Sequence, residues 1–472
     1  VVVQKPLSLL AILRLGLFQA CLGALAVIFS GLLNRVMLSE LGYPGLLVGG
    51  ALAFEQFMAP SRVLFGQISD GYPLFGRRRV PYVLLGTLLF SGLAVLAVPL
   101  IFQVGRLLSA GSQPGLAFGI TALCGLFAAY GLAISLATTP YLALVIDRTD
   151  EAERPRAVAL VWCMLTVGIV VGAILTSLSL SSLDQVTDPA ILEPVLTQFM
   201  LKVSLIVIAL TLLATWNMEA RSAYPGLAAA GAGNQAKAPG ELPQEAVTMA
   251  QSWRLITSSR QVLIFFAFLV AFTLGLFLQD PILESYGAQV FGLSISASTQ
   301  LNAFWGVGTL VGLLLAGLLV VPRLGKLPSA RLGCRLILIS LVLLILCGLT
   351  RSVPLLQFVM VLFGLAAGIA TNSALCLMLD LTLPQAAGAF VGVWGLAQAL
   401  SRAIGKLLGG GLLDLGRQLP LGPGPFPAFA LVLSVEALVT FGALLLLASL
   451  NVHQFRQDTA SSLERVLSME MG

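Results

Sequence analysis

Charge is scarce in this chain and histidine almost missing. Charged residues make up 10% of 472 positions, and the one histidine, His453, stands near the C-terminal end. Soluble domains carry roughly 25% charged residues, so a chain that is 58% hydrophobic has too little polar side chain to cover aqueous domains. A single imidazole excludes a catalytic histidine constellation. No Gly-x-x-x-x-Gly-Lys loop cradles a phosphate and no ligand cluster marks a metal site. The six cysteines, Cys21, Cys124, Cys163, Cys334, Cys347 and Cys376, include no Cys-x-x-Cys pair and lie in or beside apolar runs, where they read as small buried side chains. The net charge of +5 is spread over short connections without interleaved aromatics, which argues against nucleic acid as a partner. The sequence predicts neither catalytic nor metal-ligating residues, and no enzyme.

What the chain has in abundance is apolar sequence in long runs. Segments near 11–33, 45–68, 80–102, 116–140, 157–181 and 198–217, then 261–285, 297–321, 331–349, 354–379, 388–413 and 427–449, are each long enough to cross a hydrocarbon layer about 30 Å thick. The first run is too long for a cleavable signal and lacks a small-residue cleavage site, so it is expected to remain as a span. The predicted fold is an all-α polytopic membrane protein with twelve transmembrane helices in two pseudo-symmetric six-helix bundles. The bundles are expected over 1–217 and 258–450, joined by a cytoplasmic linker over 218–257 rich in Ala, Gly, Pro and Gln, with a cytoplasmic tail over 451–472.

Most of the 26 basic residues fall on the side holding both ends and the even-numbered connections; the opposite side has Arg35, Arg106, Lys202, Arg351 and Arg417, and Arg62, Arg402 and Lys406 are intramembrane. The positive-inside bias therefore places both termini in the cytoplasm. The halves also echo each other, with Asp147 closing the fourth span and Asp380 the tenth, and Trp162 and Trp394 opening the fifth and eleventh. Such matching points to a duplicated unit of the kind that forms transporters with parallel repeats.

After the second span comes Gly66-Gln-Ile-Ser-Asp70, then Gly76-Arg77-Arg78-Arg79. A carboxylate at a helix end can cap a neighbouring helix, and arginines there can pair with carboxylates on another connection. Asp70, Arg77, Arg78, Arg79, Asp147, Arg154 and Arg156 are thus candidates for a cytoplasmic gate; solvated orientation charges are the competing reading. The pattern resembles the loop signature of the major facilitator superfamily, although Gly71 stands where a basic residue is usual and Gly76 comes about three residues late. That resemblance implies the major facilitator fold.

Within the superfamily the chain is similar to the PucC/LhaA-like branch. The residues that carry this are Gln279-Asp280-Pro281-Ile-Leu-Glu284-Ser-Tyr286-Gly287-Ala-Gln289, with support from Arg77-Arg78-Arg79-Val-Pro-Tyr82 and Phe390-Val-Gly-Val-Trp394-Gly-Leu-Ala-Gln398. The resemblance implies chlorophyll or bacteriochlorophyll delivery during assembly of light-harvesting or photosystem complexes. It also implies a thylakoid or photosynthetic cytoplasmic membrane, antenna or photosystem subunits as partners alongside the lipid bilayer, and non-covalent chlorophyll or carotenoid. With no histidine in the spans, a pigment magnesium would need oxygen or amide ligands, for which Gln56, Glu284, Asn302, Asn372 and Gln398 are available; interhelical hydrogen bonding is the competing role for each.

Residue chemistry adds further pathway candidates. Asp280 and Glu284 stand four apart, hence on one helical face, and Pro281 cannot donate to the Phe277 carbonyl, which frees an acceptor beside them. At about 1.5 Å per residue Asp280 comes near the opposite interface, so a plain helix end competes with ligand contact. Glu55 falls near mid-bilayer, with Arg62 seven residues on, on the same face and close to the cytoplasmic boundary, where it can snorkel. Ionisable groups at such depth are costly unless paired or hydrated. Arg402 and Glu436 come out at similar depths, and Arg402 is expected to pair with Glu436 or Glu55. Two alternatives to pigment delivery stay open: a proton-coupled transporter of a small amphipathic solute with Glu55 as the titrating group, and a non-transporting assembly scaffold.

Overall fold

A computed structural model of the chain describes residues 9–111, 113–149, 154–181, 188–219, 260–380, 387–420 and 422–450. The expected linker beyond Glu219, the tail with His453, and Asp150 to Glu153 lie outside the described residues. Within them the chain is helical apart from short turns and one antiparallel bridge between Leu74 and Arg77. Helices prevail because a backbone in hydrocarbon must satisfy its own N–H and C=O groups.

Nine helices among the described residues are long and apolar enough to cross a membrane. They are α1 (Leu9–Glu40), α4 (Val80–Ala110), α5 (Gln113–Asp147), α6 (Arg154–Leu180), α7 (Pro189–Thr215), α10 (Ile295–Leu324), α11 (Lys326–Thr350), α12 (Val353–Asp380) and α14 (Phe426–Ala448). The other three expected spans are helical but depart from a single apolar rod. They are α2 (Gly45–Phe57) with α3 (Ser61–Gly71), α8 (Arg260–Phe277) with α9 (Leu283–Phe291), and the more polar α13 (Ala387–Gln418).

Two of these departures correct the sequence reading, and proline explains both. Pro60 has no N–H to offer a carbonyl one turn back, and the chain tightens there: Ala59 N–H donates to the Gln56 carbonyl and Ser61 N–H to that of Met58. Glu55 and Arg62 therefore sit on two helices rather than on one continuous face. Pro281 interrupts the seventh span in the same way, between Phe277 and Leu283. The Phe277 carbonyl is not left open, because Asp280 N–H reaches it at 3.2 Å. Asp280 and Glu284 consequently share no helical face. α1 runs on past Leu33 to Glu40, wound wide over Ile28–Leu33 and Val36–Glu40.

The chain forms two compact units, one of Val1–Glu241 with Pro281–Gly306, the other of Leu242–Asp280 with Val307–Gly472. In the first, α1 packs on α6 and α7, α4 on α5 and α7, and α2 and α3 on α5. In the second, α8 packs on α13 and α14, and α11 on α12 and α14. Counted by span, the pairings of the first with the fifth and sixth and of the third with the fourth and sixth recur as seventh with eleventh and twelfth and ninth with tenth and twelfth, as a duplicated unit would give.

Glycine sets how closely the helices approach. A Cβ on Gly168 would fall on the Ala20 carbonyl of α1, one on Gly23 on the Leu165 carbonyl of α6, and one on Gly172 within 2.5 Å of Ala24 Cα. Gly308 and Gly312 of α10 meet the Val361 and Leu365 carbonyls of α12 in the same manner. Small residues let backbones pack where lipid offers no hydrophobic drive between helices. The outward faces are leucine-rich: Leu85, Leu88 and Leu96 of α4 are all exposed. Exposed apolar stripes on hydrophobic helices make this a multi-pass integral membrane protein.

Candidate functional site

Among the described residues, three polar clusters interrupt this apolar structure, two in the first unit and one in the second. The first gathers around Arg79, which the Leu74–Arg77 hairpin delivers to the start of α4. Its guanidinium reaches Asp70 at 2.6 Å and Asp147 at 3.0 Å, and donates to Ser69 Oγ at 2.8 Å. α3 supplies Asp70, α5 supplies Asp147, and one arginine ties the two ends together. Glu219, just beyond α7, accepts the backbone N–H groups of Arg78, Arg79 and Val80 at 2.5 to 3.0 Å. A carboxylate there occupies donors that a helix start leaves open and complements its positive end. Arg77 and Arg78 enter no salt bridge among the described residues. The side chains of Arg154 and Arg156 lie outside the described residues.

Sequence reasoning missed Glu219, which it assigned to the linker about 140 positions from its partners. The signal was faint: a lone carboxylate following an apolar span whose far end carries no basic run.

A second cluster lies where α1 is widely wound. Glu284 of α9 is 2% exposed and its Oε1 accepts from Asn302 Nδ2 of α10 at 2.5 Å. Gly31 faces the pair so closely that a Cβ would overlap Glu284 Oε1. One turn on, Arg35 is buried, donating to the Ser294 carbonyl at 2.5 Å, the Leu293 carbonyl at 3.0 Å and the Ser298 hydroxyl, with Glu40 at 3.4 Å. Gln289 Nε2 reaches Ser39 Oγ at 3.2 Å. α1 therefore clasps the α9–α10 turn by polar contacts. Arg35 was expected in a connection; the carbonyls of the turn, invisible in sequence, are what allow its burial. Tyr286, also buried, packs edge-on against Phe291.

The third cluster belongs to the second unit. Glu436 of α14 is fully buried. It faces the Gln279 N–H and the Asp280 carboxylate, yet neither of its oxygens completes a hydrogen bond. Asp280 pairs with Lys406 of α13 at 3.4 Å. Arg402, one turn before Lys406, holds its guanidinium 4.3 Å from the centre of the Phe277 ring, a cation–π contact. Gln279, Asp280, Arg402 and Glu436 were expected on the pathway; Lys406 was read only as intramembrane, and its partner was missed.

The remaining candidates are dispersed. Gln56 Nε2 donates to Glu55 Oε1 at 3.2 Å, Arg62 lies within Coulombic reach of Glu55, and the Glu55 backbone crosses α5 at Gly131. Asn372 donates to the Leu313 carbonyl at 3.4 Å, and Gln398 is half-buried on α13. Beside the first cluster, a cavity of about 340 Å³ opens at the start of α4, with Phe75, Arg77, Leu84 and Leu88 among its walls.

The chain matches the family described as PUCC protein over residues 32–455. It belongs to that family. An uncharacterized protein in the puhA-bchM intergenic region of Rhodobacter capsulatus is 31% identical over 424 residues, covering 87% of this chain and 82% of that protein. Protein PucC of Rhodovulum sulfidophilum is 29% identical over 416 residues, 88% of this chain and 87% of that one. The bacteriochlorophyll synthase 44.5 kDa chain of Rhodobacter capsulatus is 31% identical over 447 residues, 92% and 93% respectively. Among solved structures, an inward-facing bacterial homolog of the human lysosomal transporter Spinster superposes with a TM-score of 0.65 at 15% identity, over 96% of this chain and 97% of that one. The nucleoside transporter NupG gives 0.58 at 14%, over 93% and 98%. At such identities the likeness establishes the fold, which is that of the major facilitator superfamily.

Proposed function

We propose that this PUCC-family protein handles a chlorophyll or bacteriochlorophyll tetrapyrrole in a photosynthetic membrane. In this reading it helps load the pigment into light-harvesting or photosystem subunits, and it catalyses no reaction. The observation that carries the reading is membership of the family over residues 32–455, together with relatives named Protein PucC and bacteriochlorophyll synthase chain. The Arg79 cluster is taken as lying on the cytoplasmic face with both termini, because Arg77, Arg78 and Arg79 follow the positive-inside bias.

Side-chain chemistry limits how the pigment is held. With no histidine in the spans, magnesium would be met by an amide oxygen. The amide oxygens of Gln56, Asn302, Asn372 and Gln398 are the proposed contacts, each a candidate by itself, because Gln56, Asn302 and Asn372 engage their neighbours through the amide nitrogen, whereas Glu284 Oε1 is already taken by Asn302. The test is gentle solubilisation of the native membrane, affinity purification, and analysis of bound pigment and co-purifying subunits. Tetrapyrrole with antenna or photosystem polypeptides is the expected result; finding neither would overturn the reading.

A secondary transporter of a small amphipathic solute is the second reading. Its specific support is the pair of interrupted spans, broken at Pro60 and Pro281 with Glu55, Arg62 and Asp280 beside the breaks, because discontinuous helices near charged groups form binding sites in many transporters. Proton-driven solute uptake into vesicles would favour it. Cross-links that fix one conformation without lowering pigment-complex assembly would favour a static scaffold instead.

A further inference from the structure

Glu436 lies ten residues into α14, about 15 Å along the helix and so near the middle of a hydrocarbon layer about 30 Å thick. Its side chain is wholly buried and, among the described residues, neither oxygen completes a hydrogen bond. An ionised carboxylate in such a place is costly unless a cation or several donors meet it.

The elements packed on α14 do not supply that compensation. α8 ends beside it, and the turn that follows presents the Gln279 N–H and the Asp280 carboxylate, the latter a like charge. From α13, Lys406 is engaged with Asp280, and Arg402 lies over Phe277. From α11, Arg331 donates to the Leu447 and Ala448 carbonyls, about three turns along α14 from Glu436. Gln279 Oε1 is a further buried acceptor that meets no donor among the described residues.

We propose that Glu436 is a proton-binding site in the membrane-embedded part of the second unit, and that its proton exchanges with water when the turn after α8 moves. A proton answers every feature at once. It removes the buried charge beside Asp280 and converts one acceptor oxygen into a donor in a region of orphaned acceptors. A sodium ion would need several oxygens around it, and no group of three or more acidic, cysteine or histidine side chains gathers among the described residues. The chain between Phe277 and Leu283 is a turn rather than a continuous helix, so it can shift without unwinding α8. The proposal does not depend on tetrapyrrole being the cargo.

The test is infrared difference spectroscopy of the full chain in lipid nanodiscs, comparing wild type with Glu436→Gln and Glu436→Asp. Wild type is expected to show the carbonyl stretch of a protonated carboxylic acid at neutral pH, lost in Glu436→Gln and kept but shifted in Glu436→Asp. Transfer to heavy water is expected to shift the band within the time of the measurement. Absence of a Glu436-dependent band would overturn protonation. A band that never shifts in heavy water would overturn exchange and leave a purely structural acid. A band abolished by sodium chloride but not by choline chloride would assign the site to sodium instead.

Discussion

Replacing Gly168 by alanine adds one methyl group at the tightest point of the α1–α6 seam. Its Cβ would overlap the Ala20 carbonyl oxygen and lie 2.6 Å from Ala20 Cα, all backbone atoms that cannot swing aside. Carbon atoms rest about 3.5–4 Å apart, so the two helices must separate locally by about 1 Å, and a gap of that size forfeits roughly a quarter to a half of each contact across the seam. Overpacking of this kind costs about 1–3 kcal/mol. The opposing gain in helix propensity is about 1 kcal/mol. A net loss of up to about 2 kcal/mol is expected, toward the upper end because the overlapped atoms are backbone, and it is read as a lower unfolding temperature in detergent. Gly125→Ala is the matched control: a Cβ there meets nothing within 4 Å, so the change should be neutral or slightly stabilising. Because Gly172 lies on the same seam, the double variant Gly168→Ala/Gly172→Ala should cost less than the sum of the two, the separation having been made once. Wild-type stability for Gly168→Ala, or an equal loss in Gly125→Ala, would refute the packing argument.

Other expectations follow from the polar clusters. Glu219→Ala should cost about 1–2 kcal/mol, in line with loss of a helix cap, and speed hydrogen exchange at the Arg78, Arg79 and Val80 amides; Glu219→Gln should lose roughly half as much. Arg79→Ala should cost no more than about 1 kcal/mol despite its two ion pairs, because Asp70 and Asp147 are 62% and 51% exposed, and high salt should narrow even that difference in melting temperature. Gly31→Ala displaces the mobile end of Glu284 rather than backbone, so the loss should be that of one membrane hydrogen bond, about 1–2 kcal/mol. A double-mutant cycle with Asn302→Ala should show most of that loss shared, and strict additivity would exclude the Glu284–Asn302 bond as its origin.

The spans were legible because the hydropathy signal is collective: no single residue decides whether twenty apolar positions cross a bilayer. The breaks were harder. Pro60 sits inside a run that reads as one helix by hydropathy, and Pro281 was recognised as unable to donate, but not that Asp280 N–H would turn to take the Phe277 carbonyl. Partners distant in sequence were mostly illegible. Asp70, Arg79 and Asp147 were grouped through a local motif and their shared helix ends, whereas Glu219 finds its three amides, and Arg35 the Leu293 and Ser294 carbonyls, only through packing. Backbone acceptors leave no trace in side-chain composition. Lys406 shows the same limit from the other side, since its depth was readable but its pairing with Asp280 depends on how α13 lies against the end of α8.

Pigment–protein assembly in living membranes is the most direct test of the function proposed for this chain. The absorbance spectrum of membranes from cells lacking the protein should show loss of antenna or photosystem bands relative to free pigment, restored when the full chain is supplied again. An unchanged spectrum in the absence of the protein, with no paralogue to replace it, would contradict a role in delivering tetrapyrroles to those complexes.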